Sequence, residues 1–164
     1  MKRLLLLVPL GLVACGGHDT ETLIYGGHEL EPKSIIFAHV PIEGSEFTVA
    51  MISDQGDACT QFDGLACLPQ PHVGTTLVFR TPAFEEGTRS IGSDLSASWI
   101  DFQGVRVLSG AASGGQLDVD QSEDEKEFGG VFNLTLPQGP LQGEFTAGFC
   151  KPMRDYYLGC PDSQ

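Results

Sequence analysis

Dense turn punctuation, short apolar segments rich in β-branched and aromatic residues, and a lack of long helical periodicity predict an all-β protein. The expected architecture is a single antiparallel β-sandwich or partly closed barrel of about eight strands. The 164-residue chain carries 21 Gly and 10 Pro, and few stretches between them are long enough for a helix.

The first element is not part of that domain. Lys2 and Arg3 precede an apolar run, Leu4 to Ala14, of about 11 residues, well short of the about 20 that cross a bilayer. A basic start, a short apolar run and small residues at its end make a secretory signal. Here that end is Leu12-Val13-Ala14-Cys15, which resembles the lipobox of bacterial lipoproteins. The resemblance implies cleavage before Cys15 and a diacylglyceryl group on its thiol, so residues 1–14 are read as the signal peptide. Two or three acyl chains, at about 0.8 kcal/mol per buried methylene, make a durable anchor where one chain would not. Residues 15–21 form a short tether reaching roughly 20 Å when extended, and the β domain is expected over residues 22–164. Gly16 after the lipidated Cys, in place of Asp, suits outer-membrane sorting if the cell has two membranes.

Four segments in the first two thirds read as strands bounded by Gly, Pro, Asp or Ser: Ser34 to Val40, Glu46 to Ser53, Thr75 to Thr81 and Leu95 to Phe102. In the last of these, alternation does not decide which face is buried; the sole Trp, Trp99, is read as core. A short helix is expected near Ala58 to Leu68. The last third is clearer. GGQLDVDQ, EFGGVFNLTLP and PLQGEFTAGFC are three alternating segments: Phe132, Leu134 and Leu136 share one face against Asn133 and Thr135, and Phe145, Ala147 and Phe149 oppose Glu144 and Thr146. Turns at Ser122 to Lys126 and at Pro137-Gln138-Gly139-Pro140 join them into an antiparallel meander.

With Cys15 assigned to lipid, Cys59, Cys67, Cys150 and Cys160 remain, an even set in a chain sent to an oxidising compartment, and two disulfides are expected. Four cysteines allow three pairings. Local pairs, Cys59 with Cys67 and Cys150 with Cys160, each bracket a turn-rich stretch and would contribute about 2 to 3 kcal/mol; they are slightly preferred over the crossed schemes. Paired C-x2-C spacings, which a structural zinc site would use, are absent.

The lipobox LVAC, the stretch Ile52-Ser53-Asp54 through Asp57-Ala58-Cys59, and the tail SGGQLDVD, GVFNLTL and LQGEFTAGFC together resemble a broad group of small bacterial lipoproteins of unknown function. That resemblance covers about half the chain and implies a lipidated all-β domain, with no activity and no functional residue to carry over.

Nine Lys plus Arg against 22 Asp plus Glu give a net charge of −13, more negative still once Lys2 and Arg3 leave with the signal. A chain this acidic is a poor partner for nucleic acid, whose phosphates need a basic face. The histidines, His18, His28, His39 and His72, lack ligand spacing; His28-Glu29 starts like H-E-x-x-H but Pro32 stands where the second His belongs. No G-x-S-x-G elbow occurs, and Gly110 to Gly115 lacks the Lys-Ser/Thr ending of a phosphate loop. Asp118, Asp120 and Asp124, with Ser122 among them, carry the alternating oxygens of a calcium loop. Glu123 and Gly129 stand at its Gly and Glu positions, and strand alternation explains Asp118 and Asp120 without metal. Asp54 and Asp57 read as turn formers bonding the local backbone, and Glu85-Glu86 beside Phe84 as adjacent loop carboxylates. No catalytic residue and no cofactor is assigned. The expected function is that of a lipid-anchored, non-enzymatic envelope module, attached to the membrane through Cys15, which binds an envelope protein or glycan or serves as a structural part of an assembly. The rival expectation is an envelope hydrolase or carbohydrate-active protein using acidic residues.

Overall fold

The computed structural model describes residues 23–25, 28–63, 72–82, 84–104 and 106–159. The lipobox with Cys15, the histidine His18, and the cysteines Cys67 and Cys160 lie outside them. The described chain is all-β, as its sequence predicts, with eleven strands and two short helices. In chain order these are β1 (Leu23–Tyr25), β2 (His28–Leu30), β3 (Ser34–Ile42), β4 (Ser45–Ser53), α1 (Ala58–Gln61), β5 (His72–Thr81), β6 (Gly87–Ser90), β7 (Ser96–Gly104), β8 (Arg106–Ala111), β9 (Gly114–Glu123), β10 (Glu127–Leu136), β11 (Gly139–Phe149) and α2 (Lys151–Gly159).

Nine strands form one sheet in the order β6-β9-β10-β11-β3-β4-β5-β7-β8, and β1 pairs with β2 as a separate hairpin. The sheet is not closed into a barrel. It folds over as a sandwich, which the aromatic contacts show: Phe79 on β5 lies 5.1 Å, centroid to centroid, from both Phe132 on β10 and Phe145 on β11. Two strands separate β5 from β11 within the sheet, so these rings meet only because β3-β4-β5-β7-β8 lies over β6-β9-β10-β11. The expected antiparallel pairing holds everywhere in the sheet except at the seam between the layers. There β11 and β3 run parallel over two residue pairs, Gly148 with Ile36 and Phe149 with Phe37. Between β8 and β9 the chain changes layer at Ala112 and Ser113, whose amides donate to Ala97 of β7 and Thr135 of β10.

The core between the layers is built by alternation. Leu117 and Val119 of β9, Phe128, Phe132 and Leu134 of β10, and Phe145 and Ala147 of β11 face Phe37, Ile52, Leu77, Phe79 and Trp99 from the other layer. Trp99 is core, as expected, and the hairpin adds Leu23 and Leu30. One close approach depends on glycine. Gly115 sits at φ +117 where a Cβ would run into the backbone of Asn133 and Leu134, so no other residue lets β9 meet β10 there.

Strands β3 and β4 are buried on both faces, which explains why SIIFAHV and FTVAMIS are nearly continuous apolar runs. Ile36, Ala38, Val40, Ile42 and Val49 turn away from the sandwich core into a second core, roofed by Ala58 of α1 and Met153 of α2. Helix α2 was not foreseen from the sequence. Its signs were present: Pro152 in the first turn, where its missing N–H costs nothing, and Met153 and Tyr157 four apart on one face. Lys151 pairs with Asp155 at 2.6 Å along the exposed side.

The disulfide corrects the preference for local pairing. Cys59 of α1 is bonded to Cys150, at the start of α2, with Cα atoms 5.6 Å apart and 91 residues between them in sequence. Both helices settle on the apolar back of β3 and β4, and that burial brings the two cysteines together. The turn-rich stretches between the local pairs say nothing of the roof that packs the two helices together.

Closing a loop of this length stabilises a chain by about 4.6 kcal/mol in the loop-entropy estimate. Replacing both Cys59 and Cys150 by serine should therefore lower the urea midpoint by the equivalent of about 4.6 kcal/mol, and an unchanged midpoint would show that the roof holds without its bond. A second prediction concerns Tyr157, which packs against the second core. Burial pushes its phenol up, against the pull of the Arg80 guanidinium and with a smaller push from Tyr156. The folded chain thus holds this proton more tightly than the unfolded one. Stability is unaffected below about pH 10 and is lost above it as the unfolded state ionises first. Denaturant titrations at about pH 8 and about pH 11 should show this alkaline loss, and Tyr157→Phe should flatten it.

Candidate functional site

A polar cluster forms where the two layers meet. His39 of β3 sits opposite Thr48 of β4 in the antiparallel register, and its Nδ1 lies 3.2 Å from the Thr48 hydroxyl. On the other side, its Nε2 is 3.4 Å from a carboxylate oxygen of Asp124, in the turn between β9 and β10. Phe84 stands edge-on to the imidazole with ring centroids 4.5 Å apart, and Phe37 does the same at 5.6 Å. His39, Thr48, Phe84 and Asp124, with Glu46, Phe47 and Pro82, line an open cleft of about 300 Å³.

Carboxylate, imidazole and hydroxyl in series are the order of a nucleophile relay, but the accessibility is reversed. A relay needs an exposed nucleophile and a sheltered carboxylate. Thr48 is 3% exposed, whereas the Asp124 side chain is 77% exposed. The cluster ties the β9–β10 turn of one layer to the β3–β4 hairpin of the other, and the hydroxyl that would attack is the group packed deepest. Nothing in the sequence places Asp124 beside His39, because the contact spans 85 residues.

The other acidic residues singled out in sequence are separated. Asp118 and Asp120 point outward from β9, and an Asp118 carboxylate oxygen accepts a hydrogen bond from the Thr88 hydroxyl on β6 at 3.0 Å. Asp124 turns toward His39 instead, so the three calcium candidates do not converge. Among the described residues no group of three or more His, Cys, Asp or Glu is placed to hold a metal.

Asp54 is a turn former, with a longer reach than expected. One of its oxygens accepts from the Thr75 amide at 2.9 Å, across to β5, and from the Gln55 amide nitrogen at 3.1 Å. Gly74, at φ +147, makes room for it, since a Cβ there would collide with Asp54 and Gln55. Asp57 opens α1 in the left-handed region at φ 56 without a capping side-chain bond; its carbonyl accepts from Thr60. Glu85 and Glu86 are exposed in the loop before β6, where the Glu85 carbonyl accepts from the Arg89 guanidinium at 2.7 Å. His28 and His72 fall in β2 and β5.

A different surface stands out for lacking partners. β8 ends the sheet, and no strand among the described residues pairs with its outer edge. Its Val107 and Leu108, which alternate to opposite faces, are 55% and 39% exposed. Leu108 borders a small notch lined also by Trp99, Asp101, Pro137 and Gln138. This edge is barely legible in the sequence, because RVLSGA is short and ends in small residues.

No protein-family model matches this chain, and no curated protein or solved structure does either.

The dispersal of Asp118, Asp120 and Asp124 makes a definite prediction for calcium. Calorimetric titration of the protein with calcium to millimolar concentration should return only the heat of dilution. Saturable heat that disappears in Asp118→Asn and Asp120→Asn would show that the outer face of β9 gathers ligands after all.

Proposed function

We propose that this chain is a lipid-anchored protein of the bacterial cell envelope, held through a diacylglyceryl group on Cys15, whose β domain is a non-enzymatic binding or structural module. Leu12-Val13-Ala14-Cys15 supports the anchor. The short stretch from Cys15 to Leu23 would keep the domain close to the bilayer, on the outer membrane where the cell has two.

The observation that carries the binding role is the bare edge of β8. An exposed strand edge offers a row of backbone donors and acceptors, and a partner strand can add to it with side chains setting specificity. A hydrolase of the acid-pair type would instead need two carboxyl groups facing each other about 5 to 9.5 Å apart across a pocket. Glu85 and Glu86 are adjacent in sequence and solvated. The carboxylate–imidazole–hydroxyl series at His39 has its hydroxyl buried.

Cys15→Ala tests the anchor. In cells fed an alkyne fatty acid, the parent chain should take up the label and fractionate with membranes, and Cys15→Ala should do neither. A variant that is labelled and membrane-bound to the same extent would overturn the anchoring. For the binding role, chemical cross-linking of the full-length protein in intact cells should join it to one stoichiometric partner, and recovery of abundant bystanders alone would count against stable docking.

A further inference from the structure

We propose that the occupant of the β8 edge is β8 of a second copy of this chain, giving a two-fold symmetric dimer in which the two sheets continue into one. The inference rests on the binding role proposed above and names the partner.

Three observations point to self-pairing. First, β8 is only thinly protected for a lone edge. It is six residues long, contains no proline, and carries one charged residue, Arg106, at its end. The opposite edge of the sheet, β6, is only four residues long and has Arg89 within it, which fits a strand that stays unpaired. Second, the chain has 22 acidic residues and a net charge of −13, so most of its surfaces would repel a second copy. β8 contains no carboxylate. Third, of the four large apolar side chains exposed among the described residues, Val107 and Leu108 are adjacent on this strand and the other two, Val131 and Leu158, stand elsewhere. Because Val107 and Leu108 point to opposite faces, only an added strand covers both; a ligand seated on one face of the sheet leaves the other bare.

Symmetry restricts the pairing. A two-fold axis perpendicular to an antiparallel pair sets one residue opposite its own copy. With Leu108 on the axis, Val107 faces Ser109 and Arg106 faces Gly110. With Ser109 on the axis, Leu108 faces Gly110 and Val107 faces Ala111. Neither arrangement opposes like charges, and both cover the two apolar side chains with small or apolar ones. Isologous dimers of this kind are the commonest oligomers.

Single cysteine substitutions read the register in the native membrane. Leu108→Cys or Ser109→Cys in the full-length chain, oxidised with copper phenanthroline in intact cells, should give a reducible dimer at whichever position lies on the axis. Thr88→Cys on β6 should give none. Native mass spectrometry of the detergent-extracted parent should show a dimer, and Val107→Lys with Leu108→Lys should lower the dimer fraction by about tenfold or more. A monomer in the mass spectrum with no cross-linked dimer at either position overturns the proposal. If the same cysteines instead couple to a different protein, self-pairing is wrong and the binding role of the edge stands. If β8 couples to nothing and the parent is monomeric, both fail, whatever the fate of the Cys15 anchor, which is read by a separate label.

Discussion

Strands β3 and β4 are apolar on both faces, and the architecture follows from the need to cover both. One face is met by β9, β10 and β11, which fold over it as the second layer. The other is met by α1 and α2, two elements too short to be stable alone. A four-residue helix such as α1 has no independent stability and stays formed because Ala58 is buried and Cys59 is bonded to Cys150. The disulfide is therefore better understood as the clasp of the roof than as a staple on a loop. It fixes the start of α2 directly after β11, where the Cys150 amide donates to the Phe37 carbonyl at 2.7 Å and continues the seam hydrogen bonding by one residue.

That seam is the narrowest part of the sheet. Two parallel residue pairs hold β11 to β3, whereas β10 and β11 share a ten-residue antiparallel ladder. Side chains do the work that backbone pairing does elsewhere. Phe37 sits within about 6 Å, centroid to centroid, of Phe84, Phe128 and Phe149, at distances where aromatic pairs add about 0.5 to 1.5 kcal/mol each beyond burial. The contacts from His39 to Asp124 and Thr48 close the polar end of this aromatic cluster. Arg154 braces it from α2, pairing with Glu125 at 2.6 Å and lying over the Phe149 ring. The one internal histidine among the described side chains is thus explained by the joint between the layers.

The sequence was most legible where one face of a strand is wet. In β9, β10 and β11 the apolar residues alternate through Leu117 and Val119, Phe132, Leu134 and Leu136, Phe145 and Ala147, with Val131 the exception on the wet face, and the hairpin turns between them are legible at Ser122 to Lys126 and at Pro137-Gln138-Gly139-Pro140. β3 and β4 were recognisable as strands, but a run buried on both faces carries no alternation to say which side chain goes where. It therefore gave no hint of a second core, of the helices over it, or of the disulfide that clasps them. β6 and β8 were missed for the opposite reason: short edge strands need few apolar residues, so their pattern is thin. The cluster at His39 was illegible because it joins β3 to a turn 85 residues away, and sequence spacing is informative about ligands and relays only when they share an element.

The proposed anchor and the proposed edge pairing bear on each other physically. A six-residue strand pairing leaves little area to hold two free molecules together, since association in solution must first offset the loss of translational and rotational freedom, about 4 kcal/mol or more. Tethering both copies to one bilayer by a linker of roughly 20 Å removes much of that cost, because each domain then searches a thin layer beside the membrane at a high effective concentration. The strong negative charge of the domain acts in the opposite sense, keeping copies apart except where their surfaces lack carboxylates. A short edge that carries no carboxylate and exposes Val107 and Leu108 is the one kind of contact that such a layer lets form while the remaining surface of each copy stays repelled from its neighbours.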